Sequence, residues 1–301
     1  MELAGRITAI LFPLFAIVAV GIAVGARQKP DLTTANRLNM DLFVPALVFH
    51  ALASRPVAWH EFVPLALAAL MIVIGSGTAG WLLARSLRLP AQTVVPPMMF
   101  NNCGNLGLPL AVLAFGETAL PAAVTLFLVS NLLHFSFGVW LLDHRFGWWQ
   151  VWRVPVVLAS FAGLAVGASG IALWPPLMTA IRMIGDVSIP LMLIALGVRL
   201  ATAEIRALRY GVVVAAARPL AGVLLAAAAL LVARALGHPF SGQSSALLIL
   251  FGALPPAVLN YLFAERYRQD PDKVASMVLI GNTAALFVLP LALAVVLPWS
   301  H

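Results

Sequence analysis

Stretches of about 20 apolar residues, the length a helix needs to cross a hydrocarbon layer, recur from one end of this chain to the other with only short polar breaks. Ten such runs can be drawn, at 7–26, 36–53, 62–84, 91–115, 119–142, 154–172, 177–198, 209–234, 244–264 and 274–297. Only 10% of the 301 residues are charged and 62% are hydrophobic, whereas a soluble domain carries about a quarter charged residues. Inside lipid every backbone N–H and C=O must find its partner within the protein, so these runs are expected to be helices. The predicted fold is an all-α polytopic membrane protein with ten transmembrane helices.

The net charge of +7 does not point to nucleic acid, because the basic residues stand singly at span ends and do not cluster on one soluble face. They are divided unevenly between the two sides. Odd-numbered loops hold thirteen: Arg27, Lys29, Arg37, Arg85, Arg88, Arg145, Arg153, Arg199, Arg206, Arg209, Arg266, Arg268 and Lys273. Even loops and termini hold four, Arg6, Arg55, Arg182 and Arg234. Lys and Arg accumulate on the cytoplasmic side, which places both termini outside a bacterial inner membrane. Trp59, Trp149, Trp152 and Trp174 fall near span ends, as an aromatic belt requires. The run from Ile7 to Ala26 has no basic segment before it and is longer than a signal-peptide core, so it reads as the first span.

The two halves, 1–148 and 149–301, match span by span. GIAVGA at 21–26 returns as GLAVGA at 163–168, and Arg37, Asp41 and Pro45 return in the same spacing as Arg182, Asp186 and Pro190. LLARSL at 82–87 returns as LVARAL at 231–236, LPLAVLAF at 108–115 as LPPAVLNY at 254–261, and Asn131 as Asn282. Because five spans are an odd number, the second half must enter the membrane from the opposite face. Two inverted five-helix repeats are an arrangement used by secondary transporters.

Spans four and nine are poor helices. Asn101, Asn102, Cys103, Gly104, Asn105, Gly107 and Pro109 crowd the first, and Pro255, Pro256 and Asn260 the second. Proline removes a backbone donor, and glycine and asparagine favour irregular backbone. Irregular backbone at membrane depth survives only when buried in protein or lining a wet cavity. Paired broken helices at matched positions of inverted repeats mark a substrate site, and helix N-termini facing it would suit an anion. Asn101, Asn102, Asn105, Pro109, Pro255, Pro256 and Asn260 are therefore the expected substrate-binding residues; ordinary proline kinks are the alternative.

Asp41, Asp186 and Arg218 lie within or beside spans, where ionisable residues are costly and tend to be functional. Each aspartate shares a helix face with an arginine four residues before it, so it is either a structural ion pair or a carrier of a coupling proton. Arg218 is a counter-charge for an anionic substrate, a partner of one of those aspartates, or a snorkelling side chain. His50 and His134 are packing residues or proton carriers. The single cysteine, Cys103, forms no intramolecular disulfide and no zinc site. No zinc spacing, phosphate-binding glycine loop or GxSxG elbow occurs, so no metal, no cofactor and no enzymatic activity are expected.

LNMDLFVPALVFHALA at 38–53, NNCGNLGLPL at 101–110, GDVSIPLMLIALGVRL at 185–200 and LPPAVLNYLFAERY followed by Asn282 and Thr283 together resemble the auxin efflux carrier family, in its bacterial malate-permease-like branch. The resemblance spans nearly the whole chain. It implies ten spans with external termini, broken crossover helices four and nine, and elevator-like exchange of a small organic anion, with Asn102, Asn105 and Pro109 in one crossover and Pro255, Pro256 and Asn260 in the other. The short 143–153 connection departs from the long cytoplasmic loop of the plant exporters. The expected partners are a small organic anion, a carboxylate, and the lipid bilayer. A proton ranks ahead of sodium as coupling ion, and a homodimer is compatible with this architecture. A sodium-coupled bile-acid-type symporter shares the architecture, and a membrane receptor or scaffold that binds without transport is the alternative of another class.

Overall fold

A computed structural model describes residues 2–54, 59–145 and 148–300; Arg55 lies outside these. Among the described residues the chain is helical, and its only β-type pairing is one isolated bridge. The helices run α1 Glu2–Gln28, α2 33–53, α3 Trp59–Leu87, α4 Ala91–Met99, α5 Cys103–Phe115 and α6 Glu117–Leu142, then α7 Pro155–Ser169, α8 Pro175–Thr202, α9 Leu208–Ala235, α10 Gly242–Ala253, α11 Leu259–Arg266 and α12 Pro271–Trp299. Six of them, α1, α3, α6, α8, α9 and α12, are each long and apolar enough to cross a membrane unaided. Large apolar side chains sit on the outside: Phe12 is 69% exposed, Leu220 63% and Phe287 74%. In water such a surface would aggregate; in lipid it is the ordinary outer face.

The sixth apolar run is shorter than its sequence suggests. α7 ends at Ser169 because Gly170 takes a left-handed conformation (φ 67°), a common helix stop. Tight helix pairs use glycine. A Cβ on Gly21 of α1 would press into the Ile194 carbonyl and Gly197 of α8, and a Cβ on Gly163 of α7 would lie 3.0 Å from Leu52 and 3.1 Å from the Phe49 carbonyl of α2. The two contacts correspond, since Gly21 matches Gly163 in the repeated GxAVGA string, while Phe49 and Leu52 stand in α2 where Ile194 and Gly197 stand in α8.

The two helix breaks differ from the proline pattern. Leu254 is extended (ψ 144°) because Pro255 disfavours a helical residue before it, so the second break falls where the prolines predict. The first break falls at Phe100–Asn102, ahead of the expected site: Phe100 is extended (φ −104°, ψ 114°), and α5 restarts through a π turn, Cys103–Gly107. Pro109 therefore does not interrupt a helix. It sits inside α5, where the π turn Cys103–Gly107 passes into the regular helix Leu108–Phe115.

Candidate functional site

The two breaks meet. Asn102 N donates to the Pro255 carbonyl at 2.8 Å, Ala257 N donates to the Phe100 carbonyl at 2.9 Å, and Asn101 and Pro256 face each other as an antiparallel bridge. One bond maps onto the other when Asn102 is matched with Ala257 and Phe100 with Pro255. This register sets Asn105 against Asn260, a match that the LPLAVLAF and LPPAVLNY strings obscure by aligning Pro109 with Pro255.

Each interrupted helix leaves carbonyls without partners at its C-terminal end, and buried side chains supply the donors. Asn101 Nδ2 donates to the Phe251 carbonyl at 2.7 Å and Arg218 Nη1 to the Gly252 carbonyl at 2.8 Å, both in the last turn of α10. Asn260 Nδ2 adds a bond to the Phe100 carbonyl at 3.0 Å. Asn282 Nδ2 donates to the Pro256 carbonyl at 3.0 Å and to the Val278 carbonyl at 2.8 Å, while its Oδ1 accepts from Asn102 Nδ2 at 2.7 Å. Arg218 is completely buried. It ties α9 to the end of α10, where its positive charge also meets the negative end of the helix dipole. The close approach of Gly222 and Gly252 makes room for it, since a Cβ on Gly222 would strike both the Gly252 carbonyl and the guanidinium.

A cavity of about 110 Å³ lies against this crossing. Asn101, Asn102 and Asn105 line it from the first break, Ala257, Val258 and Leu259 from the second, Asn36 and Asn39 from α2, Ser130, Asn131 and His134 from α6, and Arg199 from α8. No carboxylate is among the lining residues, and Arg199 is the permanent charge in the wall. No carboxylate lies within ion-pair distance of Arg199 among the described residues. A second cavity of about 190 Å³, lined by Arg199, Thr202, Tyr261 and Asn282, shares Arg199, Val258 and Leu262 with the first. The Asn39 amide is held by Ser188 Oγ, which donates to its Oδ1 at 2.9 Å and joins α2 to α8. Five buried polar atoms beside or behind the crossing have no hydrogen-bond partner among the described residues: Asn101 Oδ1, Asn260 Oδ1, His134 Nε2, and Arg218 Nε and Nη2.

The residues predicted from sequence divide into three groups. Asn101, Asn102 and Asn105 reach the cavity, and Pro255, Pro256 and Asn260 form the second break beside it. Arg218 lies behind the crossing and caps α10. Pro109 sits one turn beyond the cavity wall, and Asp41 and Asp186 lie apart from it as exposed ion pairs, Arg37–Asp41 at 3.5 Å and Arg182–Asp186 at 3.6 Å. His50 is near the second pair. Sequence reasoning missed Arg199, Asn39 and Ser130 as site residues; no local motif marks them, because α2, α6 and α8 each contribute from a different stretch. The repeat of Asn131 as Asn282 was a usable signal, for both lie beside the crossing.

The family model described as "Membrane transport protein" matches residues 7–145 and 139–293. The chain is 26% identical over 291 residues to an "Uncharacterized transporter" of Methanothermobacter thermautotrophicus (strain Delta H), covering 89% of this chain and 90% of that one. It is 24% identical over 301 residues to a protein of Rhizobium meliloti (strain 1021) named "Putative malonate transporter", covering 91% of each. A multi-pass helical chain whose two matched segments run almost end to end is a transporter and not an enzyme: this protein belongs to the membrane transport protein family, that of the auxin efflux carriers.

Proposed function

We propose that the protein is a secondary transporter that moves a small organic anion, a carboxylate, across a bacterial inner membrane by elevator-type alternating access. The observation that carries this reading is the cavity at the paired helix breaks, with its asparagine amides, one arginine and no carboxylate. Amide N–H groups and a guanidinium are donors suited to carboxylate oxygens, while a wall free of acidic groups does not repel an anion. The relative named for malonate points to the same substrate class.

In this reading the chain crosses the membrane ten times, with α4–α5 and α10–α11 as the two crossover spans, and the halves 1–148 and 149–301 are inverted repeats. Support comes from the matched hydrogen bonds at the breaks and from the matched contacts of Gly21 with α8 and Gly163 with α2. The cavity extends from the crossing toward the odd-loop ends of α2 and α8, at Asn36 and Arg199, which the basic-residue count assigns to the cytoplasm. Asn101, Asn102, Asn105 and Asn260 bind substrate, Arg199 supplies the counter-charge, and Pro255 and Pro256 hold the break open.

Binding is tested by thermal stabilisation of the detergent-purified protein across carboxylates, indoles and amino acids. A ligand at 100 times its dissociation constant stabilises by about 2.7 kcal/mol, so a carboxylate should raise the unfolding temperature, and Arg199→Gln should abolish the rise. Stabilisation by amino acids or indoles alone, or an unchanged response in Arg199→Gln, would reject the assignment.

A further inference from the structure

His134 is the one titratable imidazole in the cavity wall, and its surroundings distinguish it from a packed core residue. Its ring lies flat on Phe100, with centroids 4.1 Å apart and planes 9° apart, and meets the edge of Phe263 at 5.2 Å. Phe100 is the residue whose carbonyl receives both Ala257 N and Asn260 Nδ2, so the imidazole is mounted directly on the crossing. The ring is 4% exposed and set against the Asn260 side chain, and among the described residues its Nε2 has no partner at hydrogen-bond distance. His134 opens a π turn, His134–Gly138, in α6; such turns concentrate at functional sites. Gly138, one turn on, leaves the space that Phe100 occupies, because a Cβ there would fall 2.7 Å from the Phe100 ring.

The charges around the cavity give this geometry a consequence. The titratable or charged side chains on the elements packed against His134 are Cys103 on α5, Arg153 on the 148–153 turn, and Tyr261, Glu265 and Arg266 on α11; Tyr267 follows α11, and Asp143, His144 and Arg145 follow α6. Arg199 stands in the same cavity wall. Among the described residues none of these forms an ion pair with the imidazole, and the polar side chain set against it is Asn260. With the cavity empty, a proton on His134 would add a second positive charge to a wall that holds Arg199 and no carboxylate, which is costly in a buried setting; Glu265 faces Arg199 from outside the wall, and Arg218 lies behind the crossing against the carbonyl end of α10. Within the wall, a bound monoanion is balanced by Arg199. A bound dianion leaves one negative charge over, and a proton on His134 neutralises it.

We propose that His134 is a proton-binding site charged together with the arrival of a dicarboxylate, so that the dianion is carried with one proton. The Nε2 lone pair takes a proton from a hydronium ion in the cavity: an N–H bond forms, an O–H bond breaks, and water is left. This rests on the anion-transport reading above and adds the coupling ion. The aspartates that sequence alone favours for coupling are not in the cavity wall.

The test is calorimetric titration of purified protein with malonate and with acetate, in buffers of different ionisation enthalpy, over a pH range in which both ligands are fully ionised. Linkage sets the sign: malonate binding should take up about one proton where His134 starts neutral, and its affinity should fall as pH rises, by up to about tenfold per unit. Acetate should take up none. In His134→Gln malonate should bind with no proton uptake and a flat pH profile. The wild-type proton count with malonate needs no variant, so a misfolded His134→Gln leaves the proposal open to refutation. Malonate binding without proton uptake, equal uptake with acetate, or undiminished uptake in a folded His134→Gln would overturn it. Absence of binding by either ligand at every pH would overturn the anion reading and the proton site with it.

Discussion

The bond between Asn102 and Asn282 offers the sharpest stability test of the crossing. Both residues are buried, at 3% and 5% exposure, and Asn282 uses its whole amide: Oδ1 accepts from Asn102, and Nδ2 serves the Pro256 and Val278 carbonyls. Asn102→Ala leaves Asn282 Oδ1 without a donor, at a cost of about 1–3 kcal/mol. Asn282→Ala strands both Asn102 Nδ2 and the Pro256 carbonyl, at roughly 2–5 kcal/mol. In the double variant only the Pro256 carbonyl stays unpaired, so its loss should not exceed that of Asn282→Ala, and the two sites should couple by about 1–3 kcal/mol. The assay is thermal unfolding of ligand-free protein in detergent, followed by tryptophan fluorescence at one heating rate, because unfolding of such a protein is commonly irreversible. With about 2–4 °C per kcal/mol for chains of 150–250 residues, Asn102→Ala should lower the midpoint by roughly 2–12 °C. Strictly additive shifts, or none in Asn102→Ala, would refute a direct bond across the crossing.

Gly197→Val should destabilise strongly, by about 3 kcal/mol or more, because any Cβ there drives into the Val18 carbonyl of α1; Gly5→Ala, with nothing within 4 Å, should be neutral in the same melts. Asp41→Asn and Asp186→Asn break ion pairs outside the cavity wall, so malonate flux and its pH profile should be unaltered. Arg218→Gln retains a donor for the Gly252 carbonyl and should fold, whereas Arg218→Leu strands that carbonyl and should lower the melting midpoint below that of Arg218→Gln.

The long apolar helices were legible because lipid imposes a length and an apolar composition that short polar loops interrupt, and α1, α3, α9 and α12 follow their runs closely. The second break was legible too, because Pro255 and Pro256 act on their own neighbours. The first break was displaced, since Phe100–Asn102 is held extended by partners on α10 and beyond, Phe251, Pro255 and Ala257, that local propensity does not reveal. Pro109, the most conspicuous residue nearby, lies within α5 where its π turn passes into regular helix. The same reason hid the site's charge. Arg199 reads as one of thirteen loop-side basic residues until α8 packs beside the crossing, and Arg218 shows its burial in sequence but not its partner, a backbone carbonyl 34 positions away.

Counterflow in proteoliposomes tests the central claim most directly. Vesicles preloaded with unlabelled malonate and placed in a trace of labelled malonate should accumulate label transiently through the wild-type protein. Asn105→Ala removes an amide from the cavity wall and Asn260→Ala the amide that holds the Phe100 carbonyl at the crossing, so each should slow that accumulation by about tenfold or more. Label entering wild-type vesicles no faster than protein-free ones, or at the wild-type rate in both folded variants, would contradict the assignment of an anion site to the paired helix breaks.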